Sequence, residues 1–154
     1  EEPDFSEFME QYGYDTVAQE VVVNDAYYVD LTSTDTSNLY SYQSLQTVIA
    51  GGGVDVLGAD EMVFENLAQS GAIADLTQYF SKDELEQLKD YIFYVEDKDT
   101  GDTFAAGIRL GAGSWPVEHG YYEKECILGI ALGSEHKEAA EQMFRYLLEK
   151  SNLD

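Results

Sequence analysis

Between Leu39 and Gly71 the hydrophobic period of the chain changes twice. Leu39, Tyr42, Leu45, Val48 and Ile49 trace one face of a helix, which must end at Gly51-Gly52-Gly53, where the backbone turns freely. Val54-Asp55-Val56-Leu57 follows as a short strand, and its mostly apolar composition suits a strand covered on both faces, as in a parallel sheet. Asp60 then opens another helix, which carries Val63, Phe64, Leu67 and Ala68 and is closed by Gly71. Helix, strand and helix in such quick succession bury their apolar faces in a layered α/β arrangement.

The alternation continues on both sides of this unit. Asp4-Phe5-Ser6-Glu7 starts a helix with Phe5, Phe8, Met9 and Tyr12 at helical spacing before Gly13. Val17 to Val23 is β-branched and reads as a strand, with Ala26 to Leu31 as its continuation and Thr32 to Ser37 as a loop. Ser81-Lys82-Asp83-Glu84 has the capping-box pattern, and Leu85, Leu88, Tyr91 and Ile92 give that helix its apolar face. Tyr91 to Val95 and Thr103 to Leu110 flank the polar turn Glu96 to Asp102, whose Gly101 can supply a positive φ, so the pair reads as a hairpin. Cys126 to Leu132 reads as a buried strand. A last helix from near Ser134 carries Ala140, Met143, Phe144 and Leu147 on one face. The predicted architecture is a single α/β domain over residues 1–154, a three-layer sandwich around a mostly parallel mixed sheet.

Charge narrows the partners. Thirty-one Asp and Glu against eight Lys and Arg give a net charge of −23, a field that repels polyanions. The basic residues are scattered singly from Lys82 to Lys150, so nucleic acid is not an expected partner. Solubility is the plain explanation of the acidity. Cys126 is the one cysteine, which rules out an internal disulfide and suits a small core residue. No stretch approaches the roughly 18 apolar residues that span a bilayer. The opening Glu1-Glu2-Pro3 lacks Met, so membrane attachment is expected only through an anchor removed upstream.

The reactive residues assemble no familiar constellation. The three glycines end a helix instead of following a strand and opening one, so they lack the geometry of a phosphate cradle. Asp97, Asp99 and Asp102 share a turn, but the spacing and the flanking strands are wrong for a calcium loop. His119 and His136 lie at no metal-ligand spacing and not beside Cys126, so neither a metal nor a cofactor is expected. Ser114 near His119 lacks the Gly-x-Ser-x-Gly elbow. Trp115, Tyr121 and Tyr122 form an aromatic group in a Gly-rich segment, which reads equally as a stacking surface or as packing.

Gly53-Val54-Asp55-Val56-Leu57-Gly58-Ala59-Asp60, running into Phe64-Glu65-Asn66-Leu67-Ala68-Gln69-Ser70-Gly71-Ala72-Ile73-Ala74-Asp75-Leu76-Thr77, resembles the type 2 periplasmic solute-binding proteins. In that family a helix leads to a short Asp-containing strand, a further helix and a Gly, apolar, Asp-Leu-Thr segment. Phe104 to Leu110 resembles the strand that runs toward the hinge, and Ile130 to Leu148 the returning strand and helix. The likeness spans Val17 to Leu148. It departs in two ways: Leu110 to Cys126 stands where the second lobe would be inserted, and the family's first strand has no counterpart before Asp4.

The resemblance therefore implies one lobe of such a protein in an extracytoplasmic, bacterial setting, secreted or held at the cell surface as a lipoprotein or other membrane-anchored chain. The implied role is binding without catalysis, toward an unknown small-molecule solute or a surface protein. A site would lie at the carboxyl ends of the parallel strands. Asp60, Glu61, Arg109, Trp115, Tyr121 and Tyr122 are the candidate residues, with Arg109 either holding a carboxylate ligand or forming a surface ion pair. Two alternatives remain open: a receptor for a sugar, amino acid or peptide completed by a homodimer, and a hydrolase using Ser114 or the Asp60-Glu61 pair.

Overall fold

The computed structural model describes residues 3–24 and 36–153. Four strands, β1 (Val56–Ala59), β2 (Ile92–Glu96), β3 (Thr103–Leu110) and β4 (Cys126–Ile130), form one sheet in the order β1-β4-β3-β2. Every neighbouring pair is antiparallel. The predicted mostly parallel sheet of a solute-binding lobe is thereby overturned. Its warrant was the apolar run before Asp60, and burial on both faces is equally available to an antiparallel strand roofed by helices.

The helices are α1 (Ser6–Gln11), α2 (Thr36–Ala50), α3 (Glu61–Gln69), α4 (Lys82–Gln87), α5 (Trp115–Glu118) and α6 (Lys137–Glu149), with a 3₁₀ turn at Leu76–Gln78. Local chemistry sets several of their ends. The Asp60 carboxylate accepts from the Val63 N–H at 2.9 Å, and Ser81 and Glu84 complete the capping box at 3.2 and 2.9 Å. Gly52 takes φ +80 where α2 stops, and the side chain of Glu135 lies over it so closely that a β-carbon would meet Glu135 Cγ at 2.8 Å.

The strand expected at Val17 to Val23 does not form. Asp15 Oδ1 accepts from the Val17 N–H and the Asp15 carbonyl from the Gln19 N–H, both at 2.9 Å, which winds this stretch into a turn. Val17 is 95% exposed and Val22 75%. β-Branched residues favour strands because they pack against neighbouring strands, and among the described residues none lies beside this one. The continuation at Ala26 to Leu31 lies outside the described residues. The expected loop ends early, because α2 already includes Thr36 and Ser37.

Each sheet face has its own core. On one, Ile108, Leu110, Leu128 and Ile130 meet Phe8 of α1, Leu76, and Phe144 and Leu147 of α6. On the other, Leu57, Ala106 and Ile127 meet Tyr42, Leu45 and Ile49 of α2 and Phe64 and Leu67 of α3. The phase of β3 slips once: Phe93 pairs with Gly107 and Tyr94 with Ala105, so Ala106 is an extra, bulged residue.

Phe64 is fully buried on the second face. Its ring stands edge-on to Phe93, 6.0 Å away, above Gly107 of β3 and Gly129 of β4. A β-carbon at either glycine would stand 2.6 Å from Phe64 Cζ, inside any permitted contact. The two glycines thus make a seat for the ring, which brings α3 close to the sheet.

Arg145 of α6 fastens the opposite layer. Its guanidinium donates to Glu141 at 2.9 Å, to the Tyr79 carbonyl at 2.7 Å and to the Glu84 carboxylate, and it lies 4.2 Å over the Phe80 ring. Arg145 chiefly, with the Ser81 N–H, holds the Glu84 carboxyl at about 2 instead of the ordinary 4.5. A carboxyl depressed in the folded state adds stability that is complete above the unfolded value and is lost as pH falls through the folded one. Glu84 is 40% exposed, so solvent weakens the contribution. Denaturant melts across the acid range should therefore show Glu84→Gln losing slightly less stability than the parent between pH 4.5 and about 2, with the two curves parallel at neutral pH.

Candidate functional site

β1 and β3 both run antiparallel to the intervening β4, so they share a direction and their carboxyl ends fall at one end of the sheet. Glu61 opens α3 just after β1, Arg109 sits near the end of β3, and Glu125 immediately precedes β4. Arg109 donates to Glu61 Oε1 at 2.5 Å and to Glu125 Oε1 at 2.8 Å, and its guanidinium lies 5.4 Å from the Phe93 ring centre. Glu61, more than Glu125, raises the guanidinium pKa further.

Of the two readings of Arg109, the geometry is that of an ion pair, doubled. One cation answers two carboxylates from different elements, so an anionic ligand would have to displace Glu61 or Glu125. The arrangement joins α3, β3 and β4. Arg109 is 36% exposed and its partners more so, which puts each pair at about 1 kcal/mol or less. Asp60, the neighbouring candidate, is occupied as the cap of α3.

The aromatic candidates are elsewhere. Trp115 has the rings of His119, Phe5 and Tyr121 centred 4.2, 5.5 and 5.7 Å from its own, so it is a packing hub for α1 and α5. Tyr122 donates its hydroxyl to the Gly58 carbonyl at 2.6 Å, and burial, with Cys126 and Asp60 nearby, pushes that hydroxyl well above the usual tyrosine range. Trp115 and Tyr122 pack with the first core, whereas Phe93 beneath Arg109 packs with the second. Trp115 and Tyr122 therefore pack on the face of the sheet opposite the Arg109 and Glu61 pair.

Ser114 is 1% exposed and its hydroxyl has no hydrogen-bond partner among the described residues. His119 Nδ1 lies 2.9 Å from the Trp115 carbonyl, so the imidazole is not engaged with the serine. The loop is pinned to the end of α6, where Ser151 accepts from the Trp115 N–H at 3.0 Å and donates to the Leu147 carbonyl at 2.6 Å.

A second polar group was invisible in the sequence. Ser134 donates to Asp55 at 2.6 Å, and His136 Nδ1 lies 3.4 Å from the same carboxylate. The carboxylate stands between hydroxyl and imidazole, so the imidazole cannot take the serine proton in the manner of a hydrolase. Its evident work is local: Ser134 also accepts from the His136 N–H at 3.1 Å, which ties the start of α6 to the residue before β1. A serine three residues ahead of a helix was the only signal of it.

Cys126 is 1% exposed, and burial first, then Glu125, pushes its thiol up to about 12. The thiolate is the reactive form, so the native protein should resist maleimide at pH 8 and react only once denatured. Alkylation of native protein at the rate of a free thiol would contradict this placement. Among the described residues no three His, Cys, Asp or Glu side chains are grouped so as to hold a metal ion, and no helix is long and apolar enough to cross a membrane. No protein-family model, curated protein or solved structure matches the chain.

Proposed function

We propose that this chain is a non-catalytic binding or interaction module that works outside the bacterial cytoplasm. The setting rests on the resemblance carried by Gly53 to Thr77. The lack of catalysis is supported by one observation above all: among the described residues, the side chains singled out for chemistry are paired with one another or enclosed. Arg109 is divided between two glutamates, Ser114 is enclosed, and the Asp55 carboxylate bridges Ser134 and His136. What is left for a partner is surface, shaped by a strong negative field that favours cationic or neutral ligands at long range.

The test is paired. Thermal melting of the intact protein against sugars, amino acids, peptides and divalent ions reads binding, while ester and glycoside substrates read turnover. Stabilisation without turnover is the expected result, and the ligand class that stabilises names the partner. Turnover that disappears in Ser114→Ala or Glu61→Gln would overturn the proposal in favour of a hydrolase.

A further inference from the structure

β2 is an edge strand, and among the described residues no hydrogen bond reaches it from outside its ladder with β3. Proteins ordinarily blunt such edges with lysine, proline or a covering element, because open N–H and C=O groups recruit other strands. β2 reads Ile92-Phe93-Tyr94-Val95-Glu96, with neither lysine nor proline and with Tyr94 56% exposed at its middle. Beside Tyr94 runs a groove of about 320 Å³ lined by Thr77, Phe80, Leu85 and, at its rim, Lys82, Glu86 and Lys89.

The charges at the two ends of β2 differ. Two of the eight basic residues of the whole chain, Lys82 and Lys89, line the groove; Lys82 makes no ion pair among the described residues, and Lys89 stands three residues ahead of β2. The turn at its end carries Glu96, Asp97, Asp99 and Asp102 around a single Lys98. An antiparallel strand laid along the edge about a two-fold axis through Tyr94 would place each acidic turn at the other copy's lysine-rimmed groove. Ile92 would then face Glu96 of the second copy and Phe93 its Val95. A shift of the pairing by one residue sets Lys89 against Lys98 and Asp90 against Asp97, or Asp90 against Asp99, so like charges disfavour the neighbouring registers.

We infer that β2 pairs with β2 of a second copy of this chain, antiparallel and centred on Tyr94, to make one continuous sheet. The two Tyr94 rings lie on one face and cover the apolar floor of both grooves, and the acid-to-lysine contacts form twice, as the symmetry requires. The pairing is independent of the binding role proposed above. The −23 charge of each copy opposes association at long range, so it strengthens as salt screens that repulsion.

Sedimentation of the intact protein up to millimolar concentration, at low and moderate salt, tests it. A dimer that grows with concentration is expected. Tyr94→Lys should abolish it while melting stays unchanged, because that side chain is mostly solvated, and Lys82→Glu with Lys89→Glu should weaken it about tenfold or more. A strict monomer at every concentration and salt, or a dimer that survives both sets of changes, would overturn the inference. A dimer lost in only one of them keeps the edge as the interface if that one is Tyr94→Lys, and overturns it if not.

Discussion

Phe64→Ala is expected to lower the unfolding free energy by about 3–5 kcal/mol, read from the denaturant midpoint at constant slope. The ring is fully buried, contacts Phe93 edge-on and occupies a seat with no β-carbons beneath it. Nothing below can collapse into the vacated space, because Gly107 and Gly129 present only backbone there. For a domain of ordinary stability this is a large share of the total. A loss under about 1 kcal/mol would show that the ring does not fill that seat.

The second large effect comes from below the ring. Gly129→Ala should cost about 1–3 kcal/mol, since the new methyl would stand 2.6 Å from Phe64 Cζ and 3.1 Å from the Ala106 carbonyl. The gain in strand propensity over glycine is smaller than this clash. Combining it with Phe64→Leu, whose side chain is shorter, should give a double variant that has lost less stability than the two single losses summed. Strict additivity would mean that the methyl group and the ring do not meet.

Where the sequence carried its own local chemistry, the fold was legible. Asp60, Ser81 and the turn before Gly101 predicted two helix starts and a hairpin, because caps and tight turns are decided within a few residues. Strand direction was not legible. A short apolar run such as Val54 to Leu57 records that a strand is buried and is silent on which way its neighbour runs. Val17 to Val23 failed for a related reason, since valine announces a preference for a neighbour that the fold did not supply.

Glu61 and Arg109 were named for one crevice and do meet, through the shared direction of two strands that are not neighbours. Trp115 and Tyr122 were named with them and face away, because proximity in the sequence after β3 says nothing of which side of the sheet a loop descends. Glu125, Arg145 and the Asp55, Ser134 and His136 group were missed, each depending on a contact between distant segments. The seat under Phe64 had a signal that could have been used: a glycine inside each of two apolar strand runs marks a close approach.

The extra residue in β3 divides the work of that strand. From Ile108 to Leu110 the side chains alternate in one phase, and from Ala105 back to Thr103 in the other, with Ala106 and Gly107 turned toward the same layer. Were the strand to run through that alanine in strict alternation, Phe104 and Ala105 would exchange layers, and an aromatic ring would enter the one built for a methyl group. Deleting the alanine instead joins the two phases in ordinary alternation and leaves both residues facing the layers they face now. The bulge is thus a spacer that a shorter strand could lose without exchanging its core residues.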